Sequence, residues 1–238
     1  MMEKDRDQQA QEAQVRGEII QMSEHHVTAV ILALVGGFLD AYSYICRGQV
    51  FANAETGNIV LMGVELAQMN FSGAIHYALP IIAFAIGVYI CEMIRDRYGE
   101  ERMVHWRQRI VILEIASVVL VGFLPLEAKW NHGANILISF VCALQVEAFR
   151  KVHGVNFAST MCTGNLRSAT ERIFKYRKTG DMKMITESRR YYVIIGAFVV
   201  GASIGGVLTM AIGAKAAFVS VVGLVAVLLM MNKEFARF

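Results

Sequence analysis

Six apolar runs, most of them close to 20 residues long, dominate the 238-residue chain and leave it few ways to fold. They lie at 27–45 (VTAVILALVGGFLDAYSYI), 75–94, 110–126, 133–150, 191–212 and 214–231. A hydrocarbon layer roughly 30 Å thick takes about 20 helical residues to cross. Inside it every backbone amide must be satisfied within the segment, so such runs read as helices. Two further segments, 57–70 and 164–176, are too short or too polar to span and read as short or re-entrant helices. The expected fold is therefore an all-α integral membrane protein with about six transmembrane helices plus two short ones. It divides into a polar tail (1–26), a first membrane repeat (27–126) and a second (127–238).

Charge distribution sets the expected orientation. Residues 95–109 hold five Arg, residues 150–190 hold ten Lys or Arg, and the C-terminal tail adds Lys233 and Arg237. The loops 46–74, 127–132 and 213–215 hold one basic residue each. Lys and Arg collect on the cytoplasmic side of a membrane. Six crossings with both termini cytoplasmic place all three basic regions inside. A crossing at 57–70, alone or together with 164–176, would instead split the basic loops between the two faces.

The same numbers exclude other classes. Only 18% of residues are charged against 55% apolar, well short of the roughly one quarter charged in soluble domains. A formal charge of +3 gives nucleic-acid binding no support. The four cysteines show no CxxC spacing and the six histidines no HExxH pair, so neither a disulfide framework nor a metal site is indicated. No cofactor fingerprint or nucleophile–base spacing appears, and an enzyme is not expected. The first 24 residues carry six acids and three bases and lack the form of a secretory signal.

The chain also repeats itself. Thr56-Gly57-Asn58 recurs as Thr163-Gly164-Asn165, an offset of 107, and at the same offset Asp40 meets Glu147. AFAIGVYI (83–90) returns as AFVVGASI (197–204). Three crossings per half place the two copies in opposite orientation, the inverted repeat of many transporters and channels.

Asp40 stands deep in its span, where an ionised carboxylate in lipid is costly and needs a wet or donor-lined setting. Glu147 has Arg150 and Lys151 close by in sequence. The links after the two acids are rich in Gly, Asn, Thr and Ser, and Thr56 or Asn58 suits a helix cap. A helix N-terminus offers unpaired amides and a positive dipole end. Asp40, Asn53, Thr56, Gly57, Asn58, Glu147, Thr163, Gly164 and Asn165 are accordingly the candidate pathway residues. Glu114, one turn inside its span, is expected to snorkel. Glu65 has Arg172 at the repeat offset, an exchange of sign.

The stretch GFLDAYSYICRGQVFANAETGNIVLMGVELA (37–67), with Gln145, Glu147 and the tripeptide at 163–165, resembles the YoaK-type family of bacterial multi-pass membrane proteins. That family typically shows Gly-Phe-x-Asp-Ala, a link with Phe and Asn, then Thr-Gly-Asn and an apolar helix. The acidic, Gln-rich tail and the long basic 166–190 segment depart from it. The resemblance implies about six spans in the bacterial inner membrane and carries no substrate with it.

Two functions compete on this reading. One is a small-solute transporter or channel-like permease with its pathway at the residues above. The other is a non-transporting scaffold, receptor or regulator whose basic loops bind anionic lipid or a cytoplasmic partner. Membrane lipid and an unspecified small solute are the expected partners, and the spans suit a monomer or a homodimer equally.

Overall fold

A computed structural model describes residues 26–51, 53–98, 103–152, 155–156 and 162–235. Residues 1–25 of the expected tail (1–26) lie outside them, and His26 already opens the first helix. Apart from short links and a minimal antiparallel ladder, the described residues are helical. Eight α-helices follow in order: α1 His26–Cys46, α2 Glu55–Ala67, α3 Phe71–Tyr98, α4 Met103–Phe123, α5 Ala128–Ala148, α6 Cys162–Thr179, α7 Met182–Ile212 and α8 Ala217–Phe235. Strands β1 (Lys151–Val152) and β2 (Val155–Asn156) pair within the link between α5 and α6.

Three stretches combine the length and apolarity to cross a membrane: His26–Cys46, Phe71–Arg97 and Met182–Asn232, the last taking in both α7 and α8. Their outward faces are greasy. Ile82, Ile86 and Met93 on α3 and Val200, Ile204 and Val207 on α7 all stand exposed, a surface suited to acyl chains rather than water.

Local chemistry explains where the helices stop. Gly180, at φ +69°, ends α6 with its N–H on the Tyr176 carbonyl at 2.8 Å. Asp181 then caps α7 by accepting from the Lys183 amide at 2.9 Å. Asn70 does the same for α3, accepting from the Gly73 amide at 3.1 Å. Gly213, at φ +60°, closes α7, and one 3₁₀ turn (Gly213–Ala216) leads into α8.

Helix α1 lies innermost, with Leu32, Ala33, Leu39 and Tyr42 fully buried. It packs most extensively along α7 and also against α8. A Cβ on Gly201 would lie 2.7 Å from the Leu34 carbonyl carbon, and one on Gly37 would lie 2.9 Å from that of Phe198. Only glycine allows backbones this close. Helices α3 and α5 meet in the same way, since a Cβ on Gly87 would lie 2.6 Å from the Phe140 oxygen. The remaining large contacts join α2 to α3, α6 to α7, α4 to α8 and α4 to α5.

Glu65 and Arg172, opposite in sign, serve their short helices alike. Glu65 accepts from Asn70 Nδ2 at 2.6 Å at the turn into α3. Arg172 donates to Glu187 of α7 at 2.8 Å and lies over the Tyr191 ring.

Candidate functional site

The link after α1 turns back on the helix it has just left. Asn53, nearly buried, donates its backbone N–H to Asp40 Oδ1 at 2.6 Å and its Nδ2 to the Gly36 carbonyl at 3.2 Å. Asp40, only 4% exposed, is thus a hydrogen-bonded carboxylate inside the helical core. Its requirement for a donor deep in the span is met by the link itself.

Asn58 gives the link its shape. Fully buried, it accepts from the Phe51 N–H at 3.0 Å and donates to the Phe51 carbonyl at 2.9 Å and to Glu55 Oε2 at 2.9 Å. The Phe51 ring, stacked on Tyr44, leaves no room beside Gly57, where a Cβ would lie 2.7 Å from it. The expectation that Thr56 or Asn58 caps α2 is corrected by this arrangement. The helix begins at Glu55, the cap position is Ala54 with no side-chain bond, and Thr56 is exposed in the first turn. Asn58 is drawn backward to Phe51 because two backbone groups there need partners.

The second tripeptide opens α6 in a similar manner: Thr163 and Gly164 exposed, Asn165 buried at 3%. Cys162, the first residue of α6, is close enough to Asp40 to feel its charge. The link into α2 thus binds Asp40 directly, and the start of α6 lies within its electrostatic reach. Glu147 stands elsewhere, between Arg95 Nη1 at 3.0 Å and Arg150 Nη1 at 2.9 Å, and Glu92 pairs with both arginines. That network ties the ends of α3 and α5 together.

Several residues at the site carry no signal in the motif. Glu55 directly precedes the first tripeptide; its carboxyl accepts from Asn58 and meets the Ser139 hydroxyl of α5. Burial pushes the Glu55 carboxyl up to about 7, against the lowering influence of Asn58 and Ser139. Cys142, one turn beyond Ser139, lies beside Asn53 and within electrostatic reach of Glu114, Asp40 and Glu55. Glu114 does not snorkel: it is fully buried, and the Gln145 amide, with its nitrogen toward the carboxylate, donates to Oε1 at 2.7 Å and Oε2 at 3.0 Å.

Arg47 is a second surprise, a guanidinium with no exposure. It donates to Tyr42 Oη from Nε at 3.0 Å and from Nη2 at 2.9 Å. It also donates to the carbonyls of Val121 (2.7 Å), Leu124 (3.0 Å) and Pro125 (2.8 Å), where α4 ends. A cation at a helix C-terminus meets the negative end of the dipole. Among the described residues no group of three His, Cys, Asp or Glu is placed to hold a metal.

The chain is similar to the UPF0700 transmembrane protein YoaK of Bacillus subtilis (strain 168), with 28% identity over 148 residues, 60% of this chain and 64% of that protein. The match thus spans just under two thirds of the relative's length. No solved structure matches. A family described as "Protein of unknown function (DUF1275)" matches residues 28–230, from the first turn of α1 into α8. With its apolar helices and both short-helix motifs inside that match, the chain belongs to the DUF1275 family and is a membrane protein of it.

Proposed function

We propose that the protein is a small-solute transporter or channel-like permease of the bacterial inner membrane, with both termini cytoplasmic. Its pathway passes the point where α2 and α6 begin. One observation carries this reading: α2 starts at a buried carboxylate, through Asn53, whose amide donates to Asp40 and whose carbonyl accepts from the Glu55 N–H, and Cys162 at the start of α6 lies within electrostatic reach of the same carboxylate. Two helix N-termini, with their positive dipole ends, thus act on one carboxylate between apolar walls. Broken or short helices aimed at the middle of the bilayer are a recurring way to build a transport site.

The reading includes an inverted-repeat architecture with six crossings (α1, α3, α4, α5, α7, α8), for which helix lengths and contacts speak. Helices α1–α4 have 21, 13, 28 and 21 residues, and α5–α8 have 21, 18, 31 and 19. Exchanging the halves turns the α1–α7 contact into α5–α3, α2–α3 into α6–α7 and α1–α8 into α5–α4, and maps α4–α8 onto itself. Gly87 and Gly201, at equivalent positions of the repeated AFxxG segment, make equivalent close approaches to α5 and α1.

The test is uptake into proteoliposomes of a panel of labelled sugars, amino acids and organic acids. At least one solute should enter faster than into empty vesicles, and Asp40→Asn should abolish the difference while the variant elutes as folded protein. No uptake above empty vesicles across the panel, or full uptake by Asp40→Asn, argues against the permease. Orientation has its own test. In a background without the four native cysteines, Ser72→Cys and Thr179→Cys should label from opposite faces; labelling from one face sinks the inverted repeat.

A further inference from the structure

Two imidazoles meet where α3 and α5 begin. His76 is the sixth residue of α3 and His132 the fifth of α5, and their ring centroids lie 4.9 Å apart with the planes inclined by 47°. The rings touch without the parallel overlap of a stacked pair. His132 is exposed and His76 half-buried, so an ion in the surroundings can reach them.

The backbone decides which nitrogen of His76 is available. Nε2 lies 2.8 Å from the Gly48 carbonyl, which can only accept, so Nε2 carries the proton. In the neutral ring Nδ1 then keeps its lone pair. Histidines that ligate metals almost always commit their other N–H in this way, to a carbonyl or a carboxylate. Gly48, at φ +87°, permits the contact, since a Cβ there would lie 3.1 Å from both Cε1 and Nε2 of His76.

A third group comes from the residue before His132. Asn131 Nδ2 lies 3.9 Å from the same Cβ position on Gly48, which brings the Asn131 amide to this cluster, and its Oδ1 is buried without a hydrogen-bond partner. A buried oxygen with nothing to accept from is unfavourable, and a bound cation satisfies it. The neighbouring charges are engaged elsewhere. Lys129 pairs with Glu127 at 3.0 Å, and Arg47 gives its donors to Tyr42 and to the end of α4.

The spacing suits one kind of ion. With each ring nitrogen about 2.0–2.1 Å from a zinc ion, each centroid stands roughly 3.2 Å from it, and tetrahedral angles set the centroids about 5 Å apart. The 4.9 Å between these rings matches that separation. Among the described residues no Cys, Asp or Glu joins the pair to make a group of three. Calcium and magnesium, which take six or more oxygen ligands, are therefore poorly served, whereas imidazole suits zinc, copper and nickel.

We infer that His76 and His132, with the Asn131 side-chain oxygen, form a binding site for a zinc-class divalent ion, water completing its shell. The ion ties α3 to α5 and, through the His76–Gly48 bond, to the link that carries Asn53. It is a tie within the fold and not cargo, so the site stands whether or not the permease reading holds.

The test uses the purified full chain in detergent near neutral pH, with zinc chloride as the probe. Competition with a fluorescent zinc indicator should count one more ion per chain in the parent than in His76→Gln or His132→Gln. Zinc should raise the melting temperature of the parent by about 3 °C or more, as occupancy at tenfold the dissociation constant implies, and of either variant by less than about 1 °C. Magnesium at the same concentration should produce no such shift. Asn131→Ala should weaken binding by about fivefold or more. His105→Gln, on α4, should behave as the parent. Should His76→Gln fail to fold, His132→Gln decides, because His132 is exposed. Equal ion counts in the parent and the folded histidine variants, or melting shifts that persist in them, overturn the site. Unchanged affinity in Asn131→Ala overturns the assignment of its oxygen.

Discussion

Replacing Gly201 by alanine tests the packing on which the bundle depends. The added carbon would sit 2.7 Å from the Leu34 carbonyl carbon and 2.8 Å from its Cα, where ordinary contact begins at 3.4 Å. Neither neighbour is a side chain that can rotate away, so α1 and α7 must separate by about 0.7 Å or more over their whole crossing. Overpacking of this kind costs about 1–3 kcal/mol. For a protein of this length each kcal/mol lowers the melting temperature by about 2–4 °C. Gly201→Ala should therefore melt roughly 2–12 °C below the parent in detergent. Gly196→Ala, on the same helix with nothing within 4 Å of its added carbon, supplies the comparison. It should match or exceed the parent, because alanine favours a helix by up to about 1 kcal/mol over glycine. Thermal melts followed by intrinsic fluorescence give the answer. Equal melting of the two variants would refute the close-approach argument.

Other perturbations have equally direct readouts. Arg47→Met strips the donors from Tyr42 Oη and from three carbonyls at the end of α4, and should cost roughly 3 kcal/mol, measured as a lower melting temperature. Asp40→Asn keeps an acceptor for the Asn53 amide, so it should destabilise by only about 1 kcal/mol while removing the proposed uptake. Glu55 titrates near 7 in the folded protein, above the roughly 4.3 of an unfolded chain, so its contribution is complete below that lower value and fades as pH rises towards 7. Melting temperature should fall across that window, and Glu55→Gln should flatten the fall. Glu147→Gln weakens the tie between α3 and α5, and hydrogen exchange at residues 144–150 should quicken.

Hydropathy located each long helix but not its ends. The apolar run 110–126 belongs to α4, yet the helix stops at Phe123 because Pro125 follows in the link. The run 133–150 belongs to α5, which already begins at Ala128 and takes in the polar Asn131 and His132. Continuation through polar residues depends on caps and neighbours, which apolarity does not report. Asp40 and Asn53 were legible because a lone acid in a greasy span demands a donor and the polar link supplies one. Partners distant in sequence were not. Glu114 and Gln145 are 31 residues apart, and Arg47 reaches carbonyls more than 70 residues away. Nothing local to any of these residues announces its partner. The helix start at Glu55 eluded capping logic for a related reason: Asn58, a strong capping residue type, was claimed by the backbone of Phe51 upstream.

The buried guanidinium of Arg47 has an electrical side. Its proton cannot be shed at physiological pH, so one unit of positive charge is fixed permanently in that part of the bundle. The end of α4 offsets only about half of it. At an effective dielectric constant near 20, the remainder repels a monovalent cation about 8 Å away by roughly 1 kcal/mol. The backbone carbonyl of the same residue holds Asn135 on α5. A solute on the proposed route passing at that distance would meet a standing bias of about fivefold against metal cations, independent of pH.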